Sequence, residues 1–306
     1  MAEASAGRHV AGEEWLGHPR GLFLLFFVET FERFSYYGMR AILIFYLTKH
    51  FLFEEGKSYL LYGAYTSLVY ITPVIGGYLA DRYLGPRKAV FAGGVFIALG
   101  HAMIALAEGP VGQQGWYVDG FYMGLASIIV GTGFLKANVS VLVGELYPRD
   151  DARRDPAFSI FYMGINAGAF VAPLVCGYLG ENVDFKWGFL AAGLGMLLSL
   201  VIFYYTKDKY VISPTGVQLG VEPNKLKDVP SSESGKSGFS NTQVIVLIVS
   251  VIAAIALIYK VLGVDFWGSA IYGMTLCLPF AILTDRSLTA IEKSRLWVVV
   301  IIMLFV

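Results

Sequence analysis

The sequence predicts an all-α integral membrane protein, and three observations carry that reading. First, 56% of the 306 residues are hydrophobic and only 15% are charged, against about 25% charged in soluble domains. Second, apolar stretches recur, most of them reaching the roughly 20 residues a spanning helix needs. Third, lysine and arginine fall unevenly on the segments between those stretches.

Spans are expected near 21–52, 57–81, 87–108, 117–146, 156–180 and 187–206. The first stands apart because Glu29, Glu32, Arg33, Tyr36, Tyr37 and Arg40 share one face at about 100° per residue. Charge inside a bilayer is costly and marks function by default, so this helix is read as the wall of a polar pathway. Span two ends in a Gly76-Gly77 pair and a charged turn, Asp81-Arg82 to Arg87-Lys88. Span three carries His101, read as a satisfied bundle histidine in preference to a proton relay. Span four places Lys136 near its middle, a residue able to pair with Glu29 or Glu32 or to bind a carboxylate. Span five carries Asn166, whose amide needs a partner in hydrocarbon. The Asn138-Val139-Ser140 acceptor motif lies within span four and is discounted.

After span six, 207–240 reads as a cytoplasmic linker, with Ser213-Pro214-Thr215-Gly216 and a Ser/Gly-rich run. Apolar stretches near 242–263 and 266–284 then form an accessory transmembrane hairpin, assigned to 241–285. Another begins near Glu292, so 286–306 is expected to be the truncated start of a further helix.

The first twenty residues lack an apolar core, so no cleavable signal is expected. With the N-terminus inside, cytoplasmic segments hold Arg82, Arg87, Lys88, Arg149, Arg153 and Arg154, among others. The opposite side holds Lys49, Lys57, Lys186 and Lys260. That asymmetry predicts a multi-pass protein of the inner, cytoplasmic membrane with its N-terminus cytoplasmic. Zero net charge favours no nucleic-acid partner. Cys176 and Cys277 lie in apolar stretches and read as small hydrophobes. Metal-ligand spacing, a Ser/His pair and a phosphate loop are all missing, so no catalytic or metal residue is assigned and the chain is not read as an enzyme.

The turn after span two, Gly77-x-x-x-Asp81-Arg82-x-x-Gly85-x-Arg87, resembles the loop 2–3 motif of the major facilitator superfamily. Glu29-Thr30-Phe31-Glu32-Arg33-Phe34-Ser35-Tyr36-Tyr37-Gly38 resembles the ExxERFxYYG signature of the proton-dependent oligopeptide transporter family within it. Gly131–Asn138, with its lysine, and Phe161–Gly168, with FYxxINxG, resemble the family's fourth and fifth helices. The resemblance covers about residues 20–206. It implies that residues 1–206 are an N-terminal six-helix bundle, that the hairpin is a bacterial addition and that the C-terminal bundle is missing.

The resemblance further implies proton-coupled symport of di- and tripeptides by alternating access. Arg33 and Lys136 would hold the peptide carboxylate, and Glu29 and Glu32 would couple to protons. Tyr37, Tyr70 and Asn166 would contact the peptide. Protons are the coupling ion and no cofactor is expected; the lipid bilayer and a C-terminal six-helix half are the implied partners. Some members carry a histidine in helix two where this chain has Gly63, which shifts proton binding to the helix-one carboxylates. Transport of nitrate or another organic anion, and a non-transporting scaffold, are the alternatives.

Overall fold

The computed structural model describes residues 14–112, 115–222, 249–250, 252–257, 259–260 and 294. The chain divides into two units, Met1–Val229 and Pro230–Val306. Of the second unit the described residues are helical. The accessory hairpin and the start of the next helix otherwise lie outside the described residues, as does Cys277.

The first unit opens with a two-residue hairpin, β1 (Glu14–Trp15) against β2 (His18–Pro19). Its turn residues Leu16 and Gly17 have φ of 51° and 77°, the left-handed pair that a two-residue hairpin requires. Six long helical rods follow. They are α1 (Arg20–Phe45), α2 (Glu55–Leu79), α3 (Pro86–Leu106), α4 (Trp116–Glu145), α5 (Arg154–Ala172) extended by the short α6 (Tyr178–Asn182), and α7 (Phe185–Tyr210). Three π turns prolong α1, α2 and α5, at Tyr46–His50, Ala80–Leu84 and Pro173–Gly177. Five of the rods are long and apolar enough to cross a membrane; α1 falls outside that group, and its cluster of charge is the reason.

The local chemistry sets the ends. Gly85, at φ 75°, turns the chain, and Pro86 starts α3, where its missing N–H is no loss. Asp184 caps α7 by accepting the N–H of Lys186 at 3.2 Å. The last span outruns the expected 206 by four residues. Lys207 and Lys209 sit there in the final turn, where cations favour a helix C-terminus.

α3 packs along α4 and α7, while α1 lies between α5 and α7. α2 packs chiefly on α4, and α5 chiefly on α1; α1 and α4 touch only lightly. Two clusters of buried side chains result. One, around Leu25, Val139, Phe161 and Phe203, sits toward the end where the chain enters α1. The other, around Tyr46, Phe121 and Phe189, fills the far end. α2 and α5 are the least buried of the five apolar rods, and Tyr70, Ile75, Tyr162, Met163 and Phe170 stand exposed on them.

The expected linker does not begin at Lys207. Residues 211–222 are folded back on the helices of the first unit, to which they belong, as a clasp. Val211 is fully buried, Leu219 N–H donates to Val211 O at 3.2 Å, and Ser213 N–H donates to Val217 O at 2.7 Å. The rest of the expected linker lies outside the described residues.

Candidate functional site

The i, i+4 spacing of Glu29 and Arg33 puts acid and base one turn apart on α1. Arg33 Nε lies 2.8 Å from Glu29 Oε1 and 3.0 Å from Glu32 Oε2. All three side chains are at most 5% exposed. Only the Glu29 contact is a hydrogen bond. Glu29 Oε2 and both Glu32 oxygens are enclosed and accept none. Two buried carboxylates thus share one guanidinium edge, and three of their four oxygens have no donor. That is an unsaturated arrangement, with room for a proton or a cationic group.

Lys136 supplies the charge that balances the group. Its ammonium feels Glu29, Glu32 and Arg33, and with it the four formal charges sum to zero. Of the two roles open to it, pairing with Glu29 or Glu32 is not the one it takes here. Among the described residues it pairs with no carboxylate and sits over the Tyr70 ring, 3.9 Å from the centroid. An aromatic face holds a cation without neutralising it, so the ammonium keeps its capacity for an anion.

Of the six polar positions on the α1 face, Glu29, Glu32, Arg33 and Tyr36 are buried, Tyr37 is half-buried and Arg40 is exposed. Tyr36 stacks on Tyr65 at 6.2 Å and meets Tyr37 and Tyr70 edge-on at 5.0 and 6.4 Å. Tyr37 therefore joins Tyr70 and Lys136 through Tyr36, in an aromatic run crossing from α1 to α2 to α4. Asn166, on α5, is exposed, and its amide donates to Tyr162 O of its own helix at 3.2 Å, not to another helix. Arg40 bonds the Tyr62 hydroxyl and lies over its ring at 5.7 Å.

Small residues set the depth of the site. A Cβ on Gly168 would lie 3.0 Å from Arg33 Cβ and closer still to Thr30 O, so glycine is what lets α5 approach α1 beside the charges. Thr72 reaches from α2 to Ile129 O on α4 at 3.1 Å.

His101 is fully buried and bonds Ser35 Oγ through Nε2 at 2.6 Å, pinning α3 to α1. Asn138 is buried too. In the turn after α2, Asp81 and Arg82 are exposed, Arg82 reaching Tyr78 OH at 3.3 Å and lying over the Tyr83 ring at 5.8 Å. Gly77 lies against Ala137 of α4. Arg87 carries the clasp: Nη1 meets Asp208 Oδ1 at 2.7 Å, Nη2 bonds Val211 O, and its backbone N–H donates to Gly220 O at 3.0 Å. Lys88 pairs with Glu222.

Residues 87–218 match the family model described as PTR2, the POT family. An uncharacterized transporter of Bacillus subtilis, YclF, is 41% identical over 94% of this chain and 56% of its own length. A di-/tripeptide transporter of Lactococcus lactis subsp. cremoris is 38% identical over 82% of this chain and 48% of its own. The chain thus spans about half the length of the curated relatives it matches. The crystal structure of a peptide transporter POT in complex with sulfate is similar with a TM-score of 0.67 and 37% identity, over 94% of this chain and 57% of that one. A POT family transporter in complex with 5-aminolevulinic acid gives 0.66 and 32%, over 94% and 58%.

Proposed function

This chain belongs to the POT family, and from that premise we propose that it is the N-terminal bundle of a carrier moving di- and tripeptides with protons by alternating access. The observation that carries the proposal is the pair of buried carboxylates sharing Arg33 while Lys136 stands unpaired nearby. A zwitterionic peptide needs a cationic site for its carboxylate. Lys136 and Arg33 supply it, and among the described residues the Arg33 Nη atoms donate no hydrogen bond. Protonating Glu29 or Glu32 removes a charge competing for Arg33 and strengthens its hold on the substrate. Release of the proton reverses this.

Tyr37, Tyr70 and Asn166 provide hydroxyl and amide groups for the peptide backbone. The Lys/Arg distribution supports a cytoplasmic side for the N-terminus, the clasp and the turn after α2. One net positive charge moving down about 100 mV supplies about 2.3 kcal/mol to such a cycle. A second six-helix half is the partner required to close the exposed faces of α2 and α5.

The test is uptake of labelled dialanine into liposomes holding either the chain alone or the chain completed by a C-terminal half. Gradient-driven accumulation is expected in the completed form. Its absence there, with the protein shown folded, would overturn the assignment.

A further inference from the structure

A second group of titratable side chains lies at the far end of the bundle, away from the helix-one carboxylates. His50 closes the π turn after α1, Glu108 follows α3, and Asp184 caps α7. His50 Nδ1 and Glu108 Oε1 are 3.7 Å apart, with side chains only 9% and 8% exposed. His50 Nε2 and Glu108 Oε2 are enclosed and have no hydrogen-bond partner. The imidazole stacks on Tyr46 with centroids 4.8 Å apart and meets Phe185 edge-on. Gly112 N–H donates to His50 O at 2.8 Å and fixes the loop after α3 against the end of α1.

A structural ion pair in such surroundings would close to hydrogen-bond distance and satisfy its remaining atoms. This pair stays open at 3.7 Å and leaves one enclosed atom on each group without a partner among the described residues, and those two atoms are sites a proton can occupy. We propose that His50 and Glu108 form a second proton-binding site, on the face opposite the clasp, with Asp184 as its fixed negative charge. The orientation argued above makes that face the outer one, but the site itself does not depend on peptide transport.

The surrounding groups are few. Tyr46 comes from α1, and Lys49 beside it turns away over the Phe45 ring. α4 packs Phe121 against Tyr46, and α7 brings Asp184 and Lys186. Burial first, and then Asp184, push the Glu108 carboxyl up to about 8. Asp184 is held below the ordinary carboxylate range, its own burial outweighed by Glu108 and the Lys186 N–H. The folded chain therefore keeps a proton that the unfolded chain releases near 4.5. This stabilisation is complete below that pH and is lost as pH rises through about 8.

The experiment is infrared titration of the carboxylic C=O stretch of the chain in nanodiscs, with the His50 imidazole followed by nitrogen NMR. One protonated carboxyl is expected to titrate near 8, to vanish in Glu108→Gln, and to step together with the His50 signal. Asp184→Asn, which keeps a capping oxygen, is expected to move that titration down toward the ordinary range. A band unchanged in Glu108→Gln, a titration unmoved in Asp184→Asn, or a His50 signal that ignores the Glu108 step would each overturn the proposal. None of these readouts uses a peptide, so they stand apart from the uptake test.

Discussion

Arg33 is the side chain on which the buried charge depends. Its Nε is the closest cation to both carboxylates, so Arg33→Ala leaves two enclosed acids without the cation that touches them and with only Lys136 nearby. Breaking a buried pair from one side costs about 3–5 kcal/mol, and the thermal midpoint in detergent is expected to fall sharply, much less so in Arg33→Ala/Glu32→Gln. Lys136 differs because, among the described residues, no carboxylate pairs with it. Lys136→Ala in the completed carrier is expected to abolish gradient-driven dialanine accumulation while the protein stays folded; full accumulation would remove Lys136 from the mechanism. Ser35→Ala leaves a fully buried imidazole with no partner on either nitrogen, at about 1–3 kcal/mol, measurable by the same melting assay. The sequence was uneven as a guide to these residues. The Glu29–Arg33 pair is legible because four residues make one helical turn. Ser35 and His101 are 66 positions apart, and one hydroxyl and one imidazole in apolar helices carry no pattern joining them.

The helices themselves were readable from apolar run length, since a bilayer imposes its thickness on the chain. Their ends were less so. The π turns prolong α1, α2 and α5 past the ends that apolar run length marks, and α7 continues through lysines whose stems can stay apolar while their heads reach water. Contact between α5 and α1 depends on Gly168. Gly168→Ala is expected to force the helices apart at Thr30 and Arg33 and to cost about 1–3 kcal/mol, read as a lowered melting midpoint. The clasp was misread as linker because Ser213-Pro214-Thr215-Gly216 has the composition of a solvated loop. Its anchors are Val211 and Leu219, apolar residues whose partners lie on distant helices. Arg87→Ala removes the contacts to Asp208 and Val211 and is expected to speed hydrogen exchange across 211–222 while leaving α3 and α4 protected; unchanged exchange would show that apolar packing alone holds the segment.

At the scale of the whole molecule, the charges of α1 and α4 lie between two lightly covered rods. Exposed aromatic residues on α5 make that coverage measurable. Radical labelling of Tyr162 and Met163 is expected to drop several-fold when a C-terminal half is co-assembled, and equal labelling would mean that this face meets lipid instead. The pairing of α2 with α4 and of α5 with α1 could not be drawn from the sequence, because spans of similar hydropathy differ mainly in where their small residues fall. The clasp also has a consequence for biogenesis. It joins the turn at Gly85–Lys88 to residues as late as Glu222, so a ribosome must have passed that point before the contact can close. Helices made early stay untied at that end until the sixth rod has been inserted, and the seal then forms in one step. Any segment made after Glu222 therefore meets a bundle that residues 211–222 can already lock.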